Sequence, residues 1–246
     1  MAGELFMVRM RFDVPRLFEL GRRRHLPLRD ADLGYLLHCA LKELFGADAP
    51  EPFAIREASG RHATVLAYSS RSSAELLQHA RAFADPAVHA SCCFEEGAFE
   101  GKPMPASWVP GARLGFEVRA CPVVRMSADG PRWRKGAELD AFLARCWREE
   151  GAPLQRETVY REWLVKELGR GGAARLVSCE LKAFRRERLL RRDHGPARTS
   201  HAAERPDARL AGVLEVAADA AFTGLLARGL GRHRAFGFGM LLLRPG

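Results

Sequence analysis

The sequence is poor in lysine, in regularly spaced cysteine and in long apolar runs, and each shortage excludes something. Six cysteines (Cys39, Cys92, Cys93, Cys121, Cys146 and Cys179) form no Cys-x-x-Cys and no paired Cys/His spacing, which speaks against a zinc site and for free thiols. No apolar run approaches the ~20 residues of a spanning helix, and the N-terminus lacks the basic-then-apolar profile of a signal peptide. A cytoplasmic protein without membrane contact is the expectation. Walker A, the dinucleotide glycine fingerprint and the Gly-x-Ser-x-Gly elbow are all missing. No carboxylate cluster has metal-site character, so neither a metal nor any other cofactor is expected.

What is present is arginine. Lysines are few, yet the net charge is +9 and the pI about 9.7. Arginine contacts phosphate in a planar, bidentate way and stacks on bases, which favours nucleic acid over a lipid surface; a GC-rich coding sequence would also raise its use. The 246 residues, 47% of them apolar, suffice for one large domain or two of ordinary size.

The charge gathers at the C-terminal end. Gly229-Leu230-Gly231-Arg232-His233-Arg234-Ala235-Phe236-Gly237-Phe238-Gly239 follows a helix candidate and precedes a strand candidate, with no acidic residue after Asp219. Gly229, Gly231, Gly237 and Gly239 permit positive φ and close approach. Exposed N–H groups beside arginines suit phosphate. A second basic stretch, 182–209, carries nine cations (Lys182, Arg185, Arg186, Arg188, Arg191, Arg192, Arg198, Arg205 and Arg209) against four acids. It reads as a hairpin for a groove of folded RNA or DNA; a merely arginine-rich surface loop is the alternative. Arg22-Arg23-Arg24-His25 reads as a basic loop, either solvated or contacting phosphate.

Hydropathy periods order the rest. Residues 5–14 alternate as a strand, with Phe6, Val8, Met10, Phe12 and Val14 on one face. Asp30 or Asp32 can cap a helix to Phe45 whose core stripe centres near Leu37 and Leu44. Tyr35, His38 and Lys42 fall on its other side, either a proton-transfer constellation or an ordinary polar face. Strands at 52–57 and 63–69, a helix capped by Ser72 and a strand at 88–94 complete a βαββαβ order. Residues 97–111, rich in glycine and proline, read as a linker without regular structure. A strand over 112–124, helices at 137–147 and 158–168, strands at 174–184 and 208–216, a helix at 219–228 and a strand over 236–243 repeat that order. The expected class is α+β: two tandem ferredoxin-like domains, 1–96 and 112–246, the second enlarged around 131–168.

Three segments together resemble one family. The glycine-rich tail is similar to the loop that defines the repeat-processing RAMP proteins. Pro110-Gly111-Ala112-Arg113-Leu114-Gly115-Phe116-Glu117-Val118-Arg119-Ala120-Cys121-Pro122 is similar to the linker-to-strand passage of their CasE-type CRISPR repeat-RNA endoribonucleases, with Cys121 where asparagine is usual. Tyr35-Leu36-Leu37-His38 matches the Tyr-x-x-His spacing of the catalytic pair in some members. The resemblance implies two ferredoxin-like domains and metal-independent cleavage of the repeat stem-loop in precursor CRISPR RNA. The RNA's own 2′-hydroxyl would attack the adjacent phosphate, and the mature guide would be retained. It further implies His38 as acid or base, Tyr35 in support, and a cation on the phosphate from Lys182, Arg186 or Arg188, with Arg186 the choice here. Lys182, Arg185, Arg188, Arg191, Arg192, Arg232, His233, Arg234, Arg23 and Arg24 would hold the RNA. Other subunits of a CRISPR effector complex are the implied partners. A structural subunit that binds RNA without cutting it is the alternative.

Overall fold

The computed structural model describes residues 4–26, 32–149, 153–192 and 200–245. Its first sheet begins with β1 (Phe6–Asp13), whose buried face is Val8, Met10 and Phe12 while Arg9 and Arg11 point outward to Glu100 and Glu95. Asp13 caps α1 (Val14–Arg23), and Asp32 caps α2 (Leu33–Phe45), which ends at Gly46. β2 (Phe53–Ser59) and β3 (His62–Ser69) form a hairpin; α3 (Ser73–Phe83) opens on a full Ser72/Glu75 capping box. α4 (Pro86–His89), β4 (Cys92–Cys93) and β5 (Phe99–Pro103) follow. The strands order β2-β3-β1-β4, with β5 also on β1.

The second sheet repeats this order: β11-β6-β10-β9. It consists of β6 (Arg113–Ala120), a small excursion, α6 (Arg156–Gly169), β9 (Ala174–Arg192), β10 (Ser200–Val216), α7 (Asp219–Arg228) and β11 (Leu242–Pro245). The excursion holds β7 (Val123–Arg125), β8 (Glu138–Asp140) and α5 (Ala141–Cys146), with β7 and β8 paired on their own. In both sheets the second, third, first and fourth strands lie side by side, so both are ferredoxin-like units, as the sequence predicts. Each has its own apolar cluster, and Leu5, Ala54 and Tyr68 of the first half pack into the cluster of the second. Buried Tyr68 donates its hydroxyl to the Leu241 carbonyl at 2.9 Å, and burial pushes that phenol's pKa well up.

Several local expectations differ. Arg22 and Arg23 lie in the last turn of α1 and Arg24 is its C-cap, not a loop. The helix signal is Asp13 as cap, Pro15 in the first turn and Leu17 and Leu20 inward. Asp32, not Asp30, caps α2; Asp30 lies outside the described residues. The strand expected at 88–94 shrinks to two residues behind a helical turn. Residues 99–103, inside the expected linker, form β5, because pairing with β1 supplies a ladder that composition cannot foresee. Residues 138–140 are strand rather than helix. β11 starts only at Leu242, after a 3-10 turn at Arg234–Phe236.

The basic stretch is a hairpin longer than its sequence pattern indicates. β9 and β10 pair from Ala174/Val216 out to Arg192/Ser200, whereas β6 pairs β10 only over Ala208–Glu215. Residues 200–207 and their partners therefore extend past the sheet as a two-stranded stem, about 27 Å long at ~3.4 Å per residue.

Candidate active site and RNA interface

The tail loop is built to fold back on itself. Gly229, Gly231, Gly237 and Gly239 all have positive φ. At Gly239 a Cβ would collide with the Leu230 carbonyl, and at Gly231 with the Trp163 ring. These approaches close the loop: Leu230 N donates to Gly239 O at 2.8 Å, Gly239 N to Arg119 O at 2.7 Å, and Gly231 N to the Glu167 carboxylate at 3.0 Å. The amides of Leu230, Gly231 and Gly239 are thus used within the protein, because a loop that crosses buried surface must satisfy its own donors.

Its cations are also engaged. Glu138 of β8 accepts Arg232 at 2.5 Å, faces His233 at 3.0 Å and lies 3.7 Å from Arg205. The hydrogen bond to His233, then the nearby arginines, hold the Glu138 carboxyl down at about 2. His233 is largely buried, and Arg234 donates to the Arg228 carbonyl.

This brace delivers Phe236 to α2. Its ring stacks on Tyr35 (centroids 5.9 Å, 27° between planes) and meets His38 edge-on at 5.2 Å. Tyr35 and His38 themselves are 6.5 Å apart. Gly34 is required beneath, since any Cβ there would strike the Phe236 carbonyl. Tyr35, expected on an exposed polar face, is instead 7% exposed, because the loop from the other half covers it. His38 remains half-buried, and burial, then the Lys42 charge, lower its pKa below 6.5. It is therefore a neutral imidazole near pH 7, able to accept a proton.

A charged network ties the hairpin base to this place. Asp207 accepts Arg119 at 2.9 and 3.0 Å and Arg185 at 2.8 Å; Arg185 also pairs Glu187 at 2.7 Å. The Arg119 guanidinium lies 4.1 Å above the Phe238 ring. Asp32, the α2 cap, feels Arg119, Glu187 and Asp207, though burial dominates and raises its pKa. Leu189 packs with Cys121, Val123 and Phe238 on the same face of β9. Burial pushes the Cys121 thiol up to about 12.

Strand alternation separates the expected RNA contacts. Arg185, Glu187 and Leu189 face the loop, whereas Phe184, Arg186 and Arg188 take the opposite face, where Phe184 meets Tyr160 and Arg156. Arg186, which pairs Glu204 at 3.5 Å, is thus not brought to Tyr35 and His38; Arg185 is the stem arginine whose charge reaches Asp32. Lys182 pairs Glu180 at 2.6 Å, Arg23 pairs Glu19 at 2.5 Å and Arg24 pairs Glu43 at 2.7 Å. The side chains of Arg191 and Arg192 lie outside the described residues, as does Arg198. Sequence reasoning missed Phe236, Glu138 and the Arg119–Asp207 network; an aromatic flanked by positive-φ glycines was the available signal for the first. Among the described residues no group of three His, Cys, Asp or Glu side chains could hold a metal ion, and no helix is long and apolar enough to cross a membrane.

Fold and loop together define a tandem ferredoxin-like protein closed by a C-terminal glycine-rich loop. The chain belongs to the CRISPR-associated protein family, whose model matches residues 5–245. Among solved structures it is similar to the CRISPR endoribonuclease Cse3 bound to a 19-nucleotide RNA (19% identity, TM-score 0.63, covering 99% of this chain and 100% of that one). The Escherichia coli K-12 CRISPR-associated protein Cas6e is similar at 18% identity and TM-score 0.62, over 98% and 100% of the two chains. Thermus thermophilus Cse3, bound to an RNA representing a pre-cleavage complex, matches at 18% identity and TM-score 0.60, again over 98% and 100%. No curated protein sequence matches.

Proposed function

We propose that this chain is an endoribonuclease that binds the repeat stem-loop of precursor CRISPR RNA and cuts it without a metal ion. The observation that carries this reading is the placement of Tyr35 and His38 under Phe236: two proton-bearing side chains, one a neutral imidazole, held jointly by both halves. The family membership and the RNA-bound structures of similar fold support it.

In this reaction His38 exchanges the proton of the attacking 2′-hydroxyl or of the leaving 5′-oxygen. Tyr35, whose ordinary pKa near ~10 makes it a poor free base, positions the phosphate or shares the proton. Charge on the pentacoordinate phosphorus needs a cation. Arg185 lies on the correct face of the hairpin, and Arg186 reaches only by a turn of the stem. Arg186 and Arg188 line the outward face for the RNA stem, where phosphate and 2′-hydroxyl contacts dominate. The product stays on the hairpin and passes to other subunits of a CRISPR effector complex in the cytoplasm.

The test is incubation of repeat RNA with wild type and His38→Ala in EDTA. Cleavage by wild type alone supports the reading. RNA left intact by wild type would sink the metal-independent nuclease, and equal cleavage by both would remove His38 from the chemistry. A chain that binds the stem tightly and never cuts would be the structural subunit instead.

A further inference from the structure

Between β7 and α5 the chain makes a small wing that neither the loop nor the hairpin uses. Its base is fixed: buried Asp140 accepts Arg156 at 2.7 Å, the Tyr160 hydroxyl at 2.9 Å and Phe142 N at 2.9 Å. Its rim is clasped by Trp133 and Trp147, stacked at 6.0 Å with 12° between planes. Gly130 packs against the Trp133 ring so closely that a Cβ would collide with it. Gly130 and Trp133 are bridged through their backbones, and Asp129, the one acid of the turn, accepts Lys135 N at 2.7 Å.

This rigid turn presents Arg125, Arg132, Arg134 and Lys135, all exposed. None has a carboxylate within ion-pair distance among the described residues, whereas Lys182, Arg185 and Arg186 of the hairpin all do. Arg132 instead lies 5.9 Å from the Trp147 ring. Four exposed cations on one pre-formed frame, with no carboxylate partner among the described residues, suit a polyanion. Planar guanidinium and indole groups beside them suit unstacked bases. Position selects which part of an RNA arrives here. Trp133 is five residues from Glu138, which grips Arg232 and His233 of the tail loop; the Trp133 backbone is therefore within about 18 Å of that of Glu138, on which the loop is anchored. A strand leaving the proposed cut site covers this distance in a few nucleotides.

We infer that the wing is a second RNA-binding site, which receives unpaired nucleotides flanking the repeat stem. This rests on the repeat-RNA reading above. The hairpin takes the duplex by shape, and the wing takes the single strand by charge and stacking.

The test uses two RNAs, the repeat stem-loop alone and the same stem with about eight unpaired nucleotides on each side, within the usual footprint of single-strand sites. Affinity is measured, with RNAs that lack the attacking 2′-hydroxyl and so stay uncut, across a salt series for wild type and for a variant with Arg125, Arg132, Arg134 and Lys135 all changed to Ala. Wild type should bind the flanked RNA about tenfold more tightly than the stem at low salt, with a log–log salt slope steeper by about 3, as four single-strand phosphate contacts give. The variant should lose both differences, bind the bare stem as wild type does and melt at the same temperature. An equal flank effect in both proteins overturns the site. So does a flank that wild type ignores, which would leave the surface to an acidic protein. If wild type ignores even the bare stem, the repeat-RNA reading itself fails, an outcome distinct from the other two.

Discussion

The glycine-rich loop and the hairpin stem are the two segments richest in glycine or arginine, and they use their cations in opposite ways. In the loop, Arg232 and His233 converge on one carboxylate, Arg234 caps a carbonyl, and the amides of Leu230, Gly231 and Gly239 close on the protein. In the hairpin, Lys182 and Arg186 pair with neighbouring surface acids, which are worth ~1 kcal/mol or less and yield readily to phosphate. Local basicity alone therefore does not mark which cations are open to phosphate. The loop is a brace that sets Phe236 on Tyr35 and His38; the stem is the presented surface.

The largest expected effect breaks the catalytic side of this comparison. His38→Ala should lower single-turnover cleavage by about 10²–10⁴-fold, the usual worth of a positioned acid or base, with the RNA dissociation constant unchanged. Phe236→Ala comes next. Loss of the ring should cost about 10²-fold in cleavage through misplacement. It should also expose His38, so its depressed pKa rises toward 6.5 and the acid limb of the pH–rate profile moves to higher pH. Lys42→Ala should move that limb in the same direction without the rate loss, since it removes only the charge. A pH profile unmoved by either variant would separate Phe236 from His38.

Glu138→Ala tests the brace as a structural unit. It leaves Arg232 and His233 without their carboxylate and should lower stability by about 3 kcal/mol, read as a fall in melting temperature. Because the folded carboxyl is held at about 2, its contribution is fully present above pH ~4.5 and fades as pH drops toward 2. The wild-type advantage over Glu138→Ala should shrink across that window. The smallest effect belongs to the stem: Arg186→Ala and Arg188→Ala should each flatten the salt slope of RNA binding by about 1 and leave the melting temperature unchanged.

The element order was legible because residues 5–14 alternate with period two and α2 repeats its apolar stripe at helical spacing. Tyr35 and His38 were legible as a pair three apart on one helix. What covers them was not: Phe236 lies some two hundred positions away, and its docking depends on Gly34 and on the loop closing through Arg119. The stem was under-read for a related reason. Its outer residues have no alternation of apolar and polar side chains, since the two strands beyond β6 are held by their ladder and by charged side chains rather than by an apolar face. β5 was lost in a glycine- and proline-rich stretch because its partner, β1, is ninety residues earlier. The basic loop expected at 22–25 failed because the Asp13 cap and the Leu17/Leu20 pair carry the helix on through Arg22 and Arg23, a last turn where cations are favoured.

The salt dependence of repeat-RNA binding by the double variant Arg232→Ala/Arg234→Ala tests the central claim most directly. The slope should lie within experimental error of wild type, together with a lowered melting temperature. A slope flattened by about 2 with unchanged melting would show that the loop's arginines bind phosphate and would contradict its role as a brace.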